Sequence, residues 1–517
     1  MSDPLLQALC NPALYPHPVQ GFRVLETHIS QVLLTGGHAY KIKKPVRFSF
    51  LDFTRLEDRR RYCEAELALN RRLSGDLYEA VVAITGTPEA PVLDGEGPAV
   101  EYAVRMREFP QEALLDAVQA RGALAAEVMD TLARRIARFH MTTPEAPPDH
   151  PQCRTAALFH PVTENFRLIR PLLVDAEDRT RLDALERRAH DEFARLESRL
   201  AARIADGRIR ECHGDLHLGN IALLDGEAVP FDCIEFNDAF RVIDVASDIA
   251  FLIMDLESRE LPGLAARVLN GWLEETGDYD ALGVIDFYKA YRALVRAKVN
   301  LLRLTQTEDP SVRTAVLAEY RRYAALADRC RPPAGRLLVI TCGVSGSGKS
   351  RAGLRAVERL RAVRLRSDVE RKRGLSAPGA ASGIGAGLYA PDVTEVVYAR
   401  LGELARRVLA SGYPAVLDAT FLKRQYRERA AALARDLGVP FAILACEAPR
   451  DLIVRRLTAR RTEGKDPSDA TPAVVDAQLA AREPLDPVTE LPFSVPVDTA
   501  AEGAAERAAA TLAARAS

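Results

Sequence analysis

The chain has 517 residues, 48% of them hydrophobic and 27% charged, with a formal net charge of −2. This length provides enough apolar core for two or three domains, and the small net charge argues against a surface that coats nucleic acid or membrane. No run approaches the ~20 apolar residues of a membrane span, and the start of the chain lacks the pattern of a signal peptide. The eight cysteines show no metal-binding or paired spacing. We therefore expect a cytoplasmic protein with reduced thiols and no membrane partner.

The first predicted elements are a strand and a helix that carry paired charges. One strand is predicted from near Gln31 to Lys44, and alternation along it places Lys41 and Lys43 on the same face. A helix is predicted over residues 59–73, with two glutamates on it, Glu64 and Glu66. Glu66 has the better spacing to the apolar positions of this helix.

A loop with catalytic spacing follows the long helical patterns of the middle region. It reads His213-Gly214-Asp215-Leu216-His217-Leu218-Gly219-Asn220, and a strand with Asp232 comes after it. An H-x-D with Asn five residues after the Asp is typical of a kinase catalytic loop. One carboxylate must accept or orient the proton of an attacking hydroxyl, and an amide with a second carboxylate must hold the metal. Asp215 is thus the predicted base, Asn220 and Asp232 are predicted Mg²⁺ ligands, and His213 is expected to buttress the loop.

This constellation resembles the aminoglycoside phosphotransferase branch of the protein-kinase-like fold, from about Arg23 to Ala327. The resemblance implies a bilobal domain, with an N-lobe over about 21–108 and a C-lobe over about 112–328. It also implies an N-lobe lysine on the nucleotide phosphates and a helix glutamate that fixes this lysine. Lys41 is preferred for the lysine, with Lys43 as the alternative. Glu66 is preferred for the glutamate, with Glu64 as the alternative.

A proline-rich stretch divides the chain. Residues 332–335 read Pro-Pro-Ala-Gly and are flanked by arginines, which is typical of a linker. The stretch predicts two domains, residues 1–330 and residues 336–517.

The segment after the linker opens with a phosphate-binding loop. An apolar run over 337–342 predicts a buried strand before the loop, and a helical pattern over 351–360 follows it. Amides of such a loop and the helix N-terminus attract phosphate. Lys349 is expected to reach the β- and γ-phosphates of the nucleotide, and Ser350 to hold Mg²⁺. The predicted nucleotide-binding residues are Gly343, Val344, Ser345, Gly346, Ser347, Gly348, Lys349 and Ser350.

Strands alternate with helices through the rest of this segment, which predicts a parallel sheet covered on both faces. Ligands bind at the carboxyl ends of such strands. Asp368 and Asp418 lie at predicted strand ends, so Asp368 is a candidate base and Asp418 a candidate metal ligand. Helix capping is the alternative role for both residues. Arg456 and Arg460 lie four apart on one helix face and are candidates for a lid on the transferring phosphate, or for a solvated basic face.

The C-terminal segment resembles small-molecule and polynucleotide kinases of the P-loop superfamily. In several of these kinases an Asp early in the domain activates the acceptor hydroxyl. The resemblance implies the same role for Asp368. The whole chain resembles a bacterial family of bifunctional aminoglycoside phosphotransferase-like proteins fused to an ATP-binding P-loop domain. The fold class expected is therefore a multidomain α/β and α+β protein.

The predicted function is phosphotransfer from ATP, with Mg²⁺, by two kinase modules. Each module transfers the γ-phosphoryl group to a hydroxyl of a small molecule, and nucleic acid enters only as a 5′-hydroxyl substrate. The alternatives are one catalytic module beside an ATP-binding regulatory domain, or a nucleotide-driven switch or toxin-like protein.

Overall fold

The fold is described for residues 4–48, 51–333, 335–375, 391–463 and 471–516 of a computed structural model. Across these ranges no helix has both the length and the apolar character needed to cross a membrane.

Strands before the linker form one large antiparallel sheet and smaller two-stranded ribbons. They are β1 (Arg23–Glu26), β2 (Ser30–Leu34), β3 (His38–Lys43), β4 (Arg47–Phe48), β5 (Leu51–Asp52), β6 (Tyr78–Thr87), β7 (Ala90–Leu93), β8 (Ala99–Arg107), β9 (Ile209–Glu211), β10 (Ile221–Leu224), β11 (Glu227–Pro230) and β12 (Val242–Asp244). The large sheet has the order β1-β2-β3-β8-β6-β7, and the ribbons pair β4 with β5, β10 with β11 and β9 with β12.

The single strand predicted from Gln31 to Lys44 is wrong. It is a hairpin of β2 and β3, with residues 35–37 as the connection. The Thr35 amide and hydroxyl both donate to the His38 carbonyl, at 2.9 and 2.8 Å. Glu108, the residue after β8, accepts hydrogen bonds from the amides of Thr35 and Gly36, so the Thr35 hydroxyl and the Glu108 carboxylate together close this turn.

The helices of this region are α1 (Pro4–Leu9), α2 (Leu56–Ser74), α3 (Leu115–Ala120), α4 (Ala126–Thr142), α5 (Thr155–Ile169), α6 (Ala176–Ala205), α7 (Asp238–Arg241), α8 (Val245–Ser258), α9 (Pro262–Thr276), α10 (Ile285–Leu302) and α11 (Pro310–Arg329). Helix α2 packs on one face of the large sheet through Cys63, beside Tyr78 and Val104. Helix α9 has clear end signals, because Pro262 occupies its first turn and Gly277 adopts the left-handed conformation after its last.

After the linker the chain alternates strands with helices. The strands are β13 (Leu338–Cys342), β14 (Val363–Arg366), β15 (Ala415–Asp418), β16 (Phe441–Glu447) and β17 (Ser494–Asp498). The helices are α12 (Lys349–Leu360), α13 (Ser367–Leu375), α14 (Pro391–Ala410), α15 (Arg424–Asp436), α16 (Arg450–Glu463), α17 (Pro472–Ala481) and α18 (Ala504–Ala516). All pairs of the β14-β15-β13-β16-β17 sheet are parallel. The predicted fold class, a kinase-like domain followed by a P-loop domain with a parallel sheet, is confirmed.

The chain forms two compact units whose borders differ from the linker. Unit I comprises residues 1–255 and 291–321, and unit II comprises residues 256–290 and 322–517. The predicted domains, 1–330 and 336–517, instead divide the chain at residues 332–335. Unit II takes in α9 because this helix packs on α12 and β14. Whether residues 1–330 and 336–517 fold alone stays a prediction.

Candidate active sites

In unit I, β3 and α2 bring two lysines onto one glutamate. Glu66 is fully buried, and its two carboxylate oxygens accept hydrogen bonds from Lys41 and Lys43, each at 2.7 Å. Both lysines reach Glu66 because alternate residues of a strand share a face. Glu64 is exposed and pairs with Arg60 on the helix surface. The structure therefore brings Glu66, and not Glu64, to the lysines.

The two lysines differ in their second partner. Lys41 also donates to Asp232, at 2.5 Å, whereas Lys43 pairs with Glu235 and is almost fully enclosed. Burial disfavours the charged form of Glu66, but the two ammonium groups outweigh it and lower the Glu66 pKa to about 2. Lys41 thus lies beside the predicted metal ligand. Sequence reasoning missed Glu235, although a second buried lysine requires a second carboxylate.

The predicted catalytic loop places Asp215 next to Asn220. The Asn220 amide donates to the Asp215 carboxylate at 2.9 Å, and His217 Nε2 lies 3.4 Å from the same oxygen. Burial alone would raise the pKa of Asp215, but His217 and Arg296 outweigh it and hold this pKa well below its usual range. Asp215 is therefore a carboxylate at neutral pH and can accept a hydrogen bond from a hydroxyl group. Sequence reasoning missed His217 and Arg296; His217 could have been found as the second histidine of the loop.

His213 connects this loop to the segment that contains Asp232. Its ring Nε2 bonds the Phe231 carbonyl at 2.9 Å, next to Asp232, and burial lowers its pKa. The amides of His213 and Gly214 donate to Asp248, which also binds His140. Gly214 has a φ of +87°, and a Cβ there would lie 2.7 Å from a backbone oxygen. His213 and Asp248 therefore hold the backbone of this loop through hydrogen bonds, and the predicted role of His213 as a buttress stays a prediction.

Asp232 adopts a left-handed backbone conformation. Its φ of +62° is costly for a residue with a side chain, and such strain clusters at functional sites. The Tyr78 hydroxyl accepts a hydrogen bond from the Asp232 amide at 3.2 Å, and Asn70 Oδ1 accepts one from the Cys233 amide at 2.8 Å. The Asp232 side chain is 42% exposed. Its carboxylate and the Asn220 amide oxygen are the ligand types that Mg²⁺ prefers, so these residues fit the ion.

In unit II, the phosphate-binding loop joins β13 to α12. Gly343 has a φ of +149°, and a Cβ there would lie 2.4 Å from a backbone oxygen. Lys349 Nζ donates to the Val344 carbonyl at 2.6 Å, and the Ser345 amide donates to Gln478 Oε1 at 2.7 Å. Gln478, on α17, was missed because it lies 133 residues from its partner.

One cavity of about 420 Å³ gathers the remaining predicted residues of this site. Lys349, Ser350, Asp368 and Asp418 all line it. Asp418 is 5% exposed, and its Oδ2 has no hydrogen-bond partner among the described residues. The Ser350 hydroxyl and the Asp418 carboxylate offer oxygen ligands, so this pair also fits Mg²⁺. Asp368 is half-buried in the first turn of α13.

The predicted lid residues have different outcomes. Arg456 donates to the Thr499 hydroxyl at 2.9 Å and to its carbonyl at 2.8 Å, and reaches the Gly346 carbonyl at 3.4 Å. It lines a separate cavity of about 500 Å³. Arg456 thus hydrogen bonds both the phosphate-binding loop, at Gly346, and the residue after β17, Thr499. Its closure on a phosphate stays a prediction. The side chain of Arg460 lies outside the described residues.

Two family models match the chain. Residues 39–285 match the family described as phosphotransferase enzyme family, and residues 338–485 match the family described as AAA domain. These segments contain the two sites described above.

Whole-length relatives come from mycobacteria. The uncharacterized protein Rv2004c of Mycobacterium tuberculosis is 32% identical over 493 residues, covering 93% of this chain and 94% of the relative. The uncharacterized protein Mb2027c of Mycobacterium bovis gives the same values.

Among solved structures, a gluconokinase from Sinorhizobium meliloti 1021 is 25% identical, covers 36% of this chain and 95% of its own, and has a TM-score of 0.26. The GDP complex of aminoglycoside 2′-phosphotransferase-IIIa is 14% identical, covers 63% of this chain and 99% of its own, and has a TM-score of 0.37.

Proposed function

Since the chain belongs to the family of these mycobacterial proteins and joins a phosphotransferase-family segment to an AAA-domain segment, we propose that it is an ATP-dependent phosphotransferase with two kinase modules. Each module transfers the γ-phosphoryl group to a hydroxyl acceptor. The acceptor is a small molecule or the 5′-hydroxyl of a polynucleotide, and the reaction takes place in the cytoplasm.

The observation that carries the proposal is the position of Lys41 between Glu66 and Asp232. Lys41 Nζ lies 2.7 Å from the Glu66 carboxylate and 2.5 Å from the Asp232 carboxylate. Kinases need a lysine for the phosphates next to an acidic metal ligand, and a glutamate that fixes the lysine. These three residues come from β3, α2 and the segment after β11, so the folded chain assembles the set.

In the unit I module, Asp215 is the group that receives a proton. Its carboxylate accepts a hydrogen bond from the acceptor hydroxyl and orients the oxygen. The oxygen–phosphorus bond forms as the bond between the γ-phosphorus and the leaving ADP oxygen breaks, and the hydroxyl proton passes to Asp215. The low pKa makes Asp215 a weak base, which suits a loose transition state in which the proton leaves late.

Mg²⁺, held by Asn220 and Asp232, would neutralise the phosphate charge when bound. Asn220 has a second task, because its amide fixes the Asp215 carboxylate at 2.9 Å. In the unit II module, Ser350 and Asp418 take the metal-binding role and Asp368 the proton-accepting role.

One observation favours a second candidate, in which unit II binds ATP for regulation. The Ser345 amide and the Lys349 ammonium group are hydrogen bonded to Gln478 and Val344 of the same chain. Nucleotide phosphates would have to replace both bonds. In this version only unit I transfers a phosphoryl group, and unit II binds ATP as a regulatory domain without transferring its phosphate.

Labelled ATP tests both versions on the full-length chain. The protein is incubated with a metabolite pool and with 5′-hydroxyl oligonucleotides, and labelled products are separated. We expect Asp215→Ala to remove one set of products and Asp368→Asn another, while Asp191→Asn, an exposed change on α6, removes none. If Asp368→Asn leaves all products, unit II is regulatory. If neither variant changes product formation, the proposed function is wrong.

A further inference from the structure

Helix α9 covers the open edge of the parallel sheet in unit II. Strand β14 is at the end of the strand order, so among the described residues no strand pairs with one side of its backbone. Asn270, on α9, closes this side: its Oδ1 accepts from the Arg364 amide at 2.6 Å, and its Nδ2 donates to the Ala362 carbonyl at 2.8 Å. A helix that precedes the linker therefore satisfies the edge strand of the P-loop sheet.

One turn further along α9, Glu274 binds the arginine side chains of the same strand. The Glu274 carboxylate accepts from Arg364 Nε at 2.9 Å and lies 3.8 Å from Arg366 Nη1. These two arginines flank the site, because Arg364 Nη1 donates to the Ser350 carbonyl at 3.1 Å and Arg366 lines the cavity. Glu274 is only 14% exposed, so water screens its ion pairs weakly.

The same two arginines also face Asp418. One nitrogen of each guanidinium lies 3.9 Å from Asp418 Oδ2, which is beyond hydrogen-bond distance. Glu274 and Asp418 therefore compete for the buried guanidinium group of Arg364.

Building on the proposed function, we infer that Glu274 is a positioning residue for the metal site of unit II. It holds Arg364 away from Asp418, so that the Asp418 carboxylate remains an oxygen ligand for Mg²⁺. Without the Glu274 charge, Asp418 is the one carboxylate of the described residues that remains within 4 Å of the buried Arg364 side chain, and a buried unpaired charge is costly. The arginine then closes on Asp418 and competes with the ion. The P-loop site thus depends on a residue that lies before the linker.

The test measures binding in the full-length chain with the unit I site disabled by Lys41→Ala. A fluorescent ADP analogue is titrated at a series of Mg²⁺ concentrations, with and without Glu274→Gln. We expect Glu274→Gln to raise the Mg²⁺ concentration at half-saturation about 10- to 100-fold, the usual effect of losing a partner that orients a metal ligand. Affinity for the analogue without Mg²⁺ should stay the same, which also shows that unit II is folded.

A second change separates positioning from general damage. Arg364→Met, added to Glu274→Gln, removes the competing guanidinium and should bring the Mg²⁺ requirement most of the way back. The control Asp280→Asn removes an exposed carboxylate of the same unit and should have no effect. If Glu274→Gln does not fold, Glu274→Asp, which shortens the reach, should shift the Mg²⁺ requirement in the same direction.

The outcomes distinguish the inference from the proposed function. A chain with Glu274 intact that binds no ADP analogue overturns the function of unit II, and the inference with it. Normal binding with an unchanged Mg²⁺ requirement in Glu274→Gln, or in Glu274→Asp where that variant is used, overturns the inference alone. A raised requirement that Arg364→Met does not reverse also overturns it, because competition by the arginine is then not the cause.

Discussion

Replacing Asn270 with leucine should destabilise unit II, because its side-chain amide pairs with one backbone group of β14 and one of the residue just before this strand. Asn270 is 2% exposed, and it pairs with the Arg364 amide and the Ala362 carbonyl. Leucine has a similar size, so the change removes the hydrogen bonds without opening a large cavity. Each buried backbone group left without a partner costs about 1–3 kcal/mol. We expect the free energy of unfolding to fall by about 3 kcal/mol.

The only tryptophan of the chain makes this change measurable. Trp272 lies two residues from Asn270 and is fully buried, so its fluorescence reports unfolding around α9. In urea, a loss of about 3 kcal/mol should lower the midpoint of the tryptophan transition by about 1 M or more, given a slope of about 2–3 kcal/mol per molar. Leucine forms helices better than asparagine does, which works against the expected loss.

A matched control is Asn165→Leu in α5 of unit I. Asn165 is fully buried, and its side-chain amide has no hydrogen-bond partner among the described residues. This variant should leave the Trp272 transition where it is. If Asn270→Leu moves the midpoint no more than Asn165→Leu does, α9 does not satisfy the edge of β14, and the assignment of α9 to unit II is refuted.

Three further predictions concern the two sites. Glu66→Gln should destabilise unit I by about 3 kcal/mol at neutral pH. Because the Glu66 pKa is lowered to about 2, the stabilisation by the Glu66 carboxylate is present above about pH 4.5 and is lost as the pH falls towards 2. Acid-unfolding curves of variant and parent, followed by circular dichroism, should therefore converge near pH 2, and a constant separation would contradict the pairing. Asp215→Ala should cut turnover by about 10³-fold or more with nearly unchanged nucleotide affinity, whereas Asp232→Ala should weaken binding of the metal–nucleotide complex. Calorimetry measures the affinities and initial rates measure the turnover. Equal losses of affinity in the two variants would count against the assigned roles. Gln478→Ala should strengthen nucleotide binding to unit II about 3- to 10-fold in calorimetry, because the Ser345 amide is freed from an internal hydrogen bond; weaker binding would instead make Gln478 a ligand contact.

The sequence by itself determined the local parts of both sites. The P-loop over 343–350 and the spacing of Asp215, Asn220 and Asp232 lie within short stretches, where backbone geometry alone brings the groups near one another. The residue types follow from the chemistry, since phosphates need amides and a cation, and Mg²⁺ needs oxygen ligands. For the same reason the strand before the loop and the parallel sheet around it were predicted correctly.

The tertiary structure alone decided which distant partners meet. A strand period of two places Lys41 and Lys43 on one face and cannot distinguish them; only the fold brings Asp232, 191 residues away, to Lys41 and Glu235 to Lys43. That α9 joins the P-loop sheet depends on the open edge of β14 and on Asn270, which meets strand β14 over 90 residues away in the chain. Burial decides which partners meet, because a buried charge or a buried backbone group of an edge strand is costly without a partner, and the fold determines which partner is within reach.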